Sequence, residues 1–315
     1  MDALKEKIDT LRRERNAVIL AHYYTDSDVQ DIADFVGDSL ALSQRAATTD
    51  ADVILFAGVH FMGETAKILS PRKTVLMPDM AAGCSLADSC PADEFAAFIA
   101  ANPGRTVISY VNTTAEVKAL TDIVCTSSNA VEIVRSLPPD EPILFGPDRN
   151  LGNYIRNITG RENMLVWDGA CHVHEEFSLE KILELKQAYP HAKVLTHPEC
   201  KRPIVLISDY VGSTAGLLKY AVNDTSTDTY IVVTEPGVLH QMRLAAPGKT
   251  FIPAPPSDPS CGCNNCSYMK LITLPKIAAA LESLQPEILI PEEVRRRAEG
   301  SIRRMLEISA RLGLV

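Results

Sequence analysis

Three of the eight cysteines, Cys84, Cys171 and Cys266, each follow a short apolar run and precede a helical pattern. A thiol just before a helix meets the positive end of the dipole, which favours the thiolate, the form that binds metal. Three equivalent thiols brought to one centre suit a zinc site with an open position. They suit a 4Fe-4S cluster equally well: with three protein thiolates, one iron stays open to water or substrate and can act as a Lewis acid. Cys263-Asn-Asn-Cys266, with Cys261 two residues before it, is a C-x-x-C pair. Alone it is ambiguous between zinc, cluster and redox chemistry, and no second pair follows that would complete a zinc ribbon. Cys90 and Cys125 read as small core residues.

A second set of polar residues recurs at the ends of strand-like runs. His22 and Tyr24, Tyr110 and Asn112, and His197 and Glu199 are spaced i, i+2. On a strand that spacing puts both side chains on one face, so six polar groups could face one centre. Ser39, Ser127 and Thr214 follow turns and precede helical patterns, as N-caps do. A helix N-terminus with free N–H groups holds carboxylate or phosphate.

The elements that must position these groups repeat. Val36, Val124 and Val211 are 88 and 87 residues apart, and Cys84 to Val107 and Cys171 to Val194 are both 23 residues. Each repeat carries four short Val- and Ile-rich runs alternating with helical patterns, the pattern of parallel strands with right-handed crossovers. The expected fold is α/β: three three-layer αβα units, 1–86, 87–173 and 174–285, around a pseudo-three-fold axis. The helical segment 286–315 is expected on the first unit. The matching helix after Cys266 makes Cys266, not Cys261 or Cys263, the third equivalent thiol. Pro253-Ala-Pro-Pro-Ser-Asp-Pro259 reads as a stiff loop.

Composition narrows the function. A length of 315 residues with 46% hydrophobic content supports a substantial core. No apolar run approaches the length of a membrane span. The start, MDALKEKIDTLRRERN, has no signal-peptide pattern, so reduced thiols in the cytoplasm are expected. A net charge of −9 argues against nucleic acid as a partner. Gly248-Lys249-Thr250 fails as a P-loop because Arg243 stands where the first Gly belongs. No G-x-G-x-x-G or G-x-S-x-G supports a dinucleotide or a serine nucleophile. An iron–sulfur hydro-lyase and a non-catalytic metal or redox sensor would share the thiol set; a sensor has no need of six polar groups around it.

His22-Tyr-Tyr24, Ala33-Asp-Phe-Val-Gly-Asp-Ser39, Tyr110-Val-Asn112, Gly146-Pro-Asp-Arg-Asn-Leu-Gly152, Gly169-Ala-Cys-His-Val-His174, His197-Pro-Glu-Cys200 and Tyr210-Val-Gly-Ser-Thr214 together resemble the quinolinate synthase family. The resemblance runs over nearly the whole chain. It implies three pseudo-symmetric units sharing one 4Fe-4S cluster, with one cysteine ligand from each and one open iron. It implies condensation of iminoaspartate with dihydroxyacetone phosphate to quinolinate, phosphate and water in NAD biosynthesis. An L-aspartate oxidase or dehydrogenase would supply the iminoaspartate. The substrate site is expected from His22, Ser39, Tyr110, Val111, Asn112, Ser127, His197, Pro198, Glu199 and Thr214. His22, Tyr24, Tyr110, His197 and Glu199 are the catalytic candidates. One departure is the extra pair Cys261 and Cys263, which suggests redox control.

Overall fold

Parallel strands covered on both faces carry unbroken apolar runs. β1 (Ala17–His22) and β3 (Val53–Ala57) are buried at every position. The computed structural model describes residues 2–258, 262 and 264–314. Cys261 and Cys263 lie outside the described residues, so the expected redox pair does too. With β2 (Phe35–Gly37) and β4 (Thr74–Leu76), the first sheet runs β2-β1-β3-β4. β5 (Thr106–Tyr110), β6 (Ile123–Cys125), β7 (Ile143–Gly146) and β8 (Met164–Val166) repeat that order as β6-β5-β7-β8. β9 (Lys193–Thr196), β10 (Tyr210–Val211), β11 (Thr229–Val233) and β12 (Thr250–Pro253) give β10-β9-β11-β12. Every pairing is parallel.

In each sheet the chain steps outward from the first strand to the second, then returns to the other side for the third. That reversal opens a crevice at the carboxyl ends of the first and third strands, where such sheets bind ligands. The threefold repeat therefore creates three equivalent crevices, and the polar residues singled out above sit at them.

The three units are not equally joined. One apolar core runs through the first and second sheets, while the third sheet has separate cores on its two faces. The helix Glu292–Arg311 lies in the seam of the first two. It packs on helix His60–Leu69 of the first unit, and on β6 and helix Ala115–Lys118 of the second. The C-terminal segment thus meets both the first unit and the second. Residues 286–288 also cover the edge of β4: Met77 N–H donates to Pro286 O at 3.1 Å and Ile288 N–H to Val75 O at 2.9 Å. A covered edge cannot template unwanted strand pairing. Helix Leu274–Ser283, read above with the third unit, packs on helix Asp2–Glu14 and β3 of the first.

Ile302 in the seam is wholly buried, whereas Leu289 is 78% exposed. Ile302→Ala is expected to destabilise the protein by about 2–5 kcal/mol, and Leu289→Ala by no more than about 0.5 kcal/mol. Denaturant midpoints of the metal-free protein check both; equal midpoints would remove the seam's role.

Candidate functional site

Residues beyond the three crevices wall one cavity, which leaves about 680 Å³ unfilled by protein atoms, part of it continuous with solvent. Cys84, Cys171 and Cys266 all line it. Cys84 is the N-cap of the short helix Ser85–Asp88, and Cys171 of helix His172–Glu175. The two loops are tied together, with His172 Nδ1 2.8 Å from Ser85 Oγ. The backbone N–H groups that follow each cysteine do lower the thiols, but burial outweighs them. Burial, the largest influence, raises Cys84 to about 12 and Cys266 to about 11, and drives Cys171 well above the usual thiol range. Cys266 and Glu199 push Cys84 further up, and Glu199 and Cys84 do the same to Cys171. Helices of four residues carry too little aligned backbone to compensate. Such thiols keep their protons until a metal displaces them.

The strand-end pairs also converge, by a route the spacing did not indicate. β1 stops at His22, β5 at Tyr110 and β9 at Thr196. Tyr24, Asn112, His197 and Glu199 therefore stand on turns beyond the strands. In two units the imidazole itself shapes the turn. His22 Nδ1 accepts the Tyr24 N–H at 3.2 Å, and His197 Nδ1 the Glu199 N–H at 3.4 Å. That assigns each ring proton to Nε2. Burial, chiefly, lowers both imidazoles to about 3, so both are neutral donors at neutral pH. His197 Nε2 lies 3.2 Å from Ser127 Oγ.

Glu199 is deeply enclosed, with 2% of its surface exposed. Tyr110 donates to its Oε1 at 2.6 Å, and His174 Nδ1 lies 3.1 Å from its Oε2. Burial pushes this carboxyl up, but His174 beside it and the Tyr110 hydrogen bond help outweigh it and hold it below the usual carboxylate range. Thiolates nearby would raise this carboxyl by like charge. Within the protein's own groups the polarity is the opposite, because three partners surround the carboxylate. The Tyr24 hydroxyl sits 2.7 Å from both Thr214 Oγ1 and Thr234 Oγ1.

Ser39, Ser127 and Thr214 line the cavity but do not cap helices. Asp38 caps helix Ser39–Thr48, accepting Ala41 N–H at 3.1 Å, and Ser213 caps helix Thr214–Asn223, accepting Gly216 N–H at 3.1 Å. Ser127 precedes Asn129, the N-cap position of helix Ala130–Arg135. With capping done by a neighbour, Ser39 and Thr214 stand at the first helical position beside the free N–H groups. Val111 and Pro198 are not among the lining residues; Val111 is in the shared core. Cys90 and Cys125 are wholly buried in cores, as expected.

Sequence reasoning missed His174. It stacks on His197 with ring centroids 4.7 Å apart, and its Nε2 lies 3.0 Å from Thr234 Oγ1. The signal was its i, i+3 spacing from Cys171, which puts both on one face of a helical turn. Cys171, His174 and Glu199 bring one donor atom each within 4.8 Å of one another, a set able to hold a metal ion. His174 Nδ1 and Asn112 Oδ1 are buried without a hydrogen-bond partner; His174 Nδ1 is close to Glu199 but off the hydrogen-bonding direction. Buried polar atoms left open in this way call for a partner the chain does not supply. A soft thiol set with adjacent imidazole and carboxylate fits iron or zinc better than a hard cation such as magnesium.

Comparison with known proteins agrees with this architecture. Residues 6–307 match the family described as Quinolinate synthetase A protein. The chain is 59% identical over 302 residues to a quinolinate synthase of Thermosynechococcus vestitus, covering 96% of this chain and 94% of that one. A quinolinate synthase of a Synechococcus species is 57% identical over 307 residues, with 98% and 95% covered. One from Trichodesmium erythraeum is 54% identical over 308 residues, with 98% and 94% covered. The chain is an enzyme, and it belongs to the quinolinate synthetase A family.

Removing one donor tests the balance around Glu199. Tyr110→Phe is expected to cost the metal-free protein about 1.5–3 kcal/mol, the value of a hydrogen bond to a charged group. Denaturant unfolding measures this; wild-type stability would mean that the histidines alone satisfy the carboxylate.

Proposed function

We propose that the enzyme condenses iminoaspartate with dihydroxyacetone phosphate to give quinolinate in NAD biosynthesis, on a 4Fe-4S cluster held by Cys84, Cys171 and Cys266. Atom balance releases phosphate and two waters. The observation that carries the reading is the meeting of one thiol from each repeat with imidazole, phenol and carboxylate groups in a single cavity. When bound, the cluster supplies an open, Lewis-acidic iron for loss of a hydroxyl.

The chain's own groups divide the remaining work. The substrates are anions, and the N-terminal N–H groups of helices Ser39–Thr48 and Thr214–Asn223, with the Ser39, Ser127 and Thr214 hydroxyls, offer them donors. Asn112 adds an amide whose oxygen is buried without a partner. His22 and His197, neutral and protonated at Nε2, polarise a carbonyl without bringing a competing charge. Glu199, linked to Tyr110 and flanked by His174, takes and returns protons at the carbon beside that carbonyl. Tyr24 of the first unit holds the Thr214 hydroxyl of the third in place. A partner oxidase or dehydrogenase acting on aspartate would supply the iminoaspartate. No described helix is long and apolar enough to cross a membrane.

Three sets of variants test the reading. Cys84→Ala, Cys171→Ala and Cys266→Ala are each expected to abolish the cluster's broad visible absorption together with quinolinate formation. A full cluster in any one removes that residue from the ligand set. Glu199→Gln is expected to keep the fold and the cluster and lose on the order of a hundredfold in turnover; near-wild-type anaerobic turnover would sink its role as a base. Ser127→Ala and Thr214→Val are expected to weaken quinolinate binding roughly ten- to a hundredfold with the cluster intact. Unchanged affinity in both would assign these hydroxyls to structure alone.

A further inference from the structure

We propose that Asp148 and Glu235 are positioning residues: buried carboxylates at one repeated place in the fold that grip the backbone N–H groups of Cys171 and Cys266. The inference rests on the cluster reading above.

The repeat makes the two acids equivalent. Thr196 of β9 pairs with Val233 of β11, Ser109 of β5 with Gly146 of β7, and Ala21 of β1 with Ala57 of β3. Two residues past the partner in each third strand stand Glu235, Asp148 and Val59. All three are buried, Asp148 and Glu235 completely.

Both acids divide their oxygens in the same way. Asp148 Oδ1 accepts Leu151 N–H at 2.7 Å, capping helix Arg149–Thr159, while Oδ2 accepts Cys171 N–H at 3.3 Å. Glu235 Oε2 accepts Gly237 N–H at 2.7 Å, while Oε1 accepts Cys266 N–H at 3.4 Å. One oxygen serves the local turn and the other reaches a cysteine. Lys270 Nζ, 3.1 Å from Glu235 Oε1, also donates to Tyr24 O at 2.8 Å and so joins this grip to the first unit. Gly237 is obligatory in the arrangement. A Cβ there would stand 2.8 Å from Tyr23 O and 2.7 Å from Glu235 Oε2.

Burying a carboxylate is costly, and burial pushes both acids up. The fold itself does not demand an acid at this place, because the first unit has Val59. There the loop before Cys84 is held from other places, His60 N–H donating to Ala82 O at 2.7 Å and Ala81 N–H to Asp79 Oδ1 at 2.8 Å. Two acids kept at a costly position, each touching a proposed ligand, point to a role in holding those ligands. Groups behind the ligands of a metal site typically change metal retention about 10–100-fold when removed.

The test follows iron release from anaerobically reconstituted protein to a ferrous chelator. Asp148→Ser keeps a hydroxyl for the Leu151 cap but has no second oxygen for Cys171. Glu235→Gln has one acceptor oxygen where two are needed. Both are expected to release iron at least about tenfold faster than wild type, with thermal unfolding of the cluster-free protein little changed. Lys270→Met, which leaves Glu235 without its cation, is expected to accelerate release too and serves if the Gln variant does not fold. Asp148→Asn, left with one acceptor oxygen for two N–H groups, does the same for the second unit. Glu64→Gln is the control, a buried carboxylate that accepts Ala115 N–H rather than a cysteine's; it is expected to release iron at the wild-type rate. Wild-type release in the folded Asp148 and Glu235 variants, or equal acceleration in Glu64→Gln, overturns the proposal. A wild type that takes up no iron and sulfide sinks the cluster reading, and this inference with it.

Discussion

A polar group taken out of water must find a partner, and around this cavity the partners come from other repeats. Tyr110 of the second unit donates to Glu199 of the third. His197 of the third meets Ser127 of the second. Tyr24 of the first sits between Thr214 and Thr234 of the third. Ser128 of the second donates to Asp38 of the first at 2.6 Å. No unit could bury its own strand ends alone without leaving these groups unsatisfied. Each unit is also small enough to be marginal by itself. The cavity is therefore the condition under which three weak units become one structure.

That mutual dependence explains what was legible in the sequence. Strand period, crossover length and the equal spacing of Cys84 and Cys171 from the next strand are local features, and they translated directly into three sheets of one strand order. The meeting of His22, Tyr110 and His197 followed from the repeat. What stayed hidden was set by contacts between units. The direction of the Glu199 shift depends on Tyr110, 89 residues earlier, and on His174. The thiols' resistance to ionisation depends on burial that no spacing reports. Capping by Asp38 and Ser213 instead of Ser39 and Thr214 is a one-residue difference, below what turn chemistry alone separates. The packing of helix Leu274–Ser283 on the first unit was hidden for the same reason: its apolar face names no partner.

The seam between the first two units shows how far burial can be pushed when partners are arranged. Lys118 is completely buried, its ammonium on Thr113 O and 5.3 Å from the centroid of the Phe61 ring. Burial lowers the Lys118 ammonium and raises the Glu64 carboxyl across the seam. Ser301 of the helix Glu292–Arg311 closes over it, donating to Lys118 O at 2.9 Å. The joined pair of units thus forms a firm wall against which the third, with its own cores, is set.

The place of that helix in the chain has a consequence for biosynthesis. Domains form in order as a polypeptide leaves the ribosome, and the first two sheets are made long before residues 292–311. Until those residues emerge, the hollow that receives Ala298, Ile302 and Met305 faces water, together with the neighbourhood of Lys118. Cys266 is likewise made late. Between the completion of the second sheet and the emergence of that helix the nascent chain thus carries an open apolar hollow, which is the interval when chaperones have something to hold.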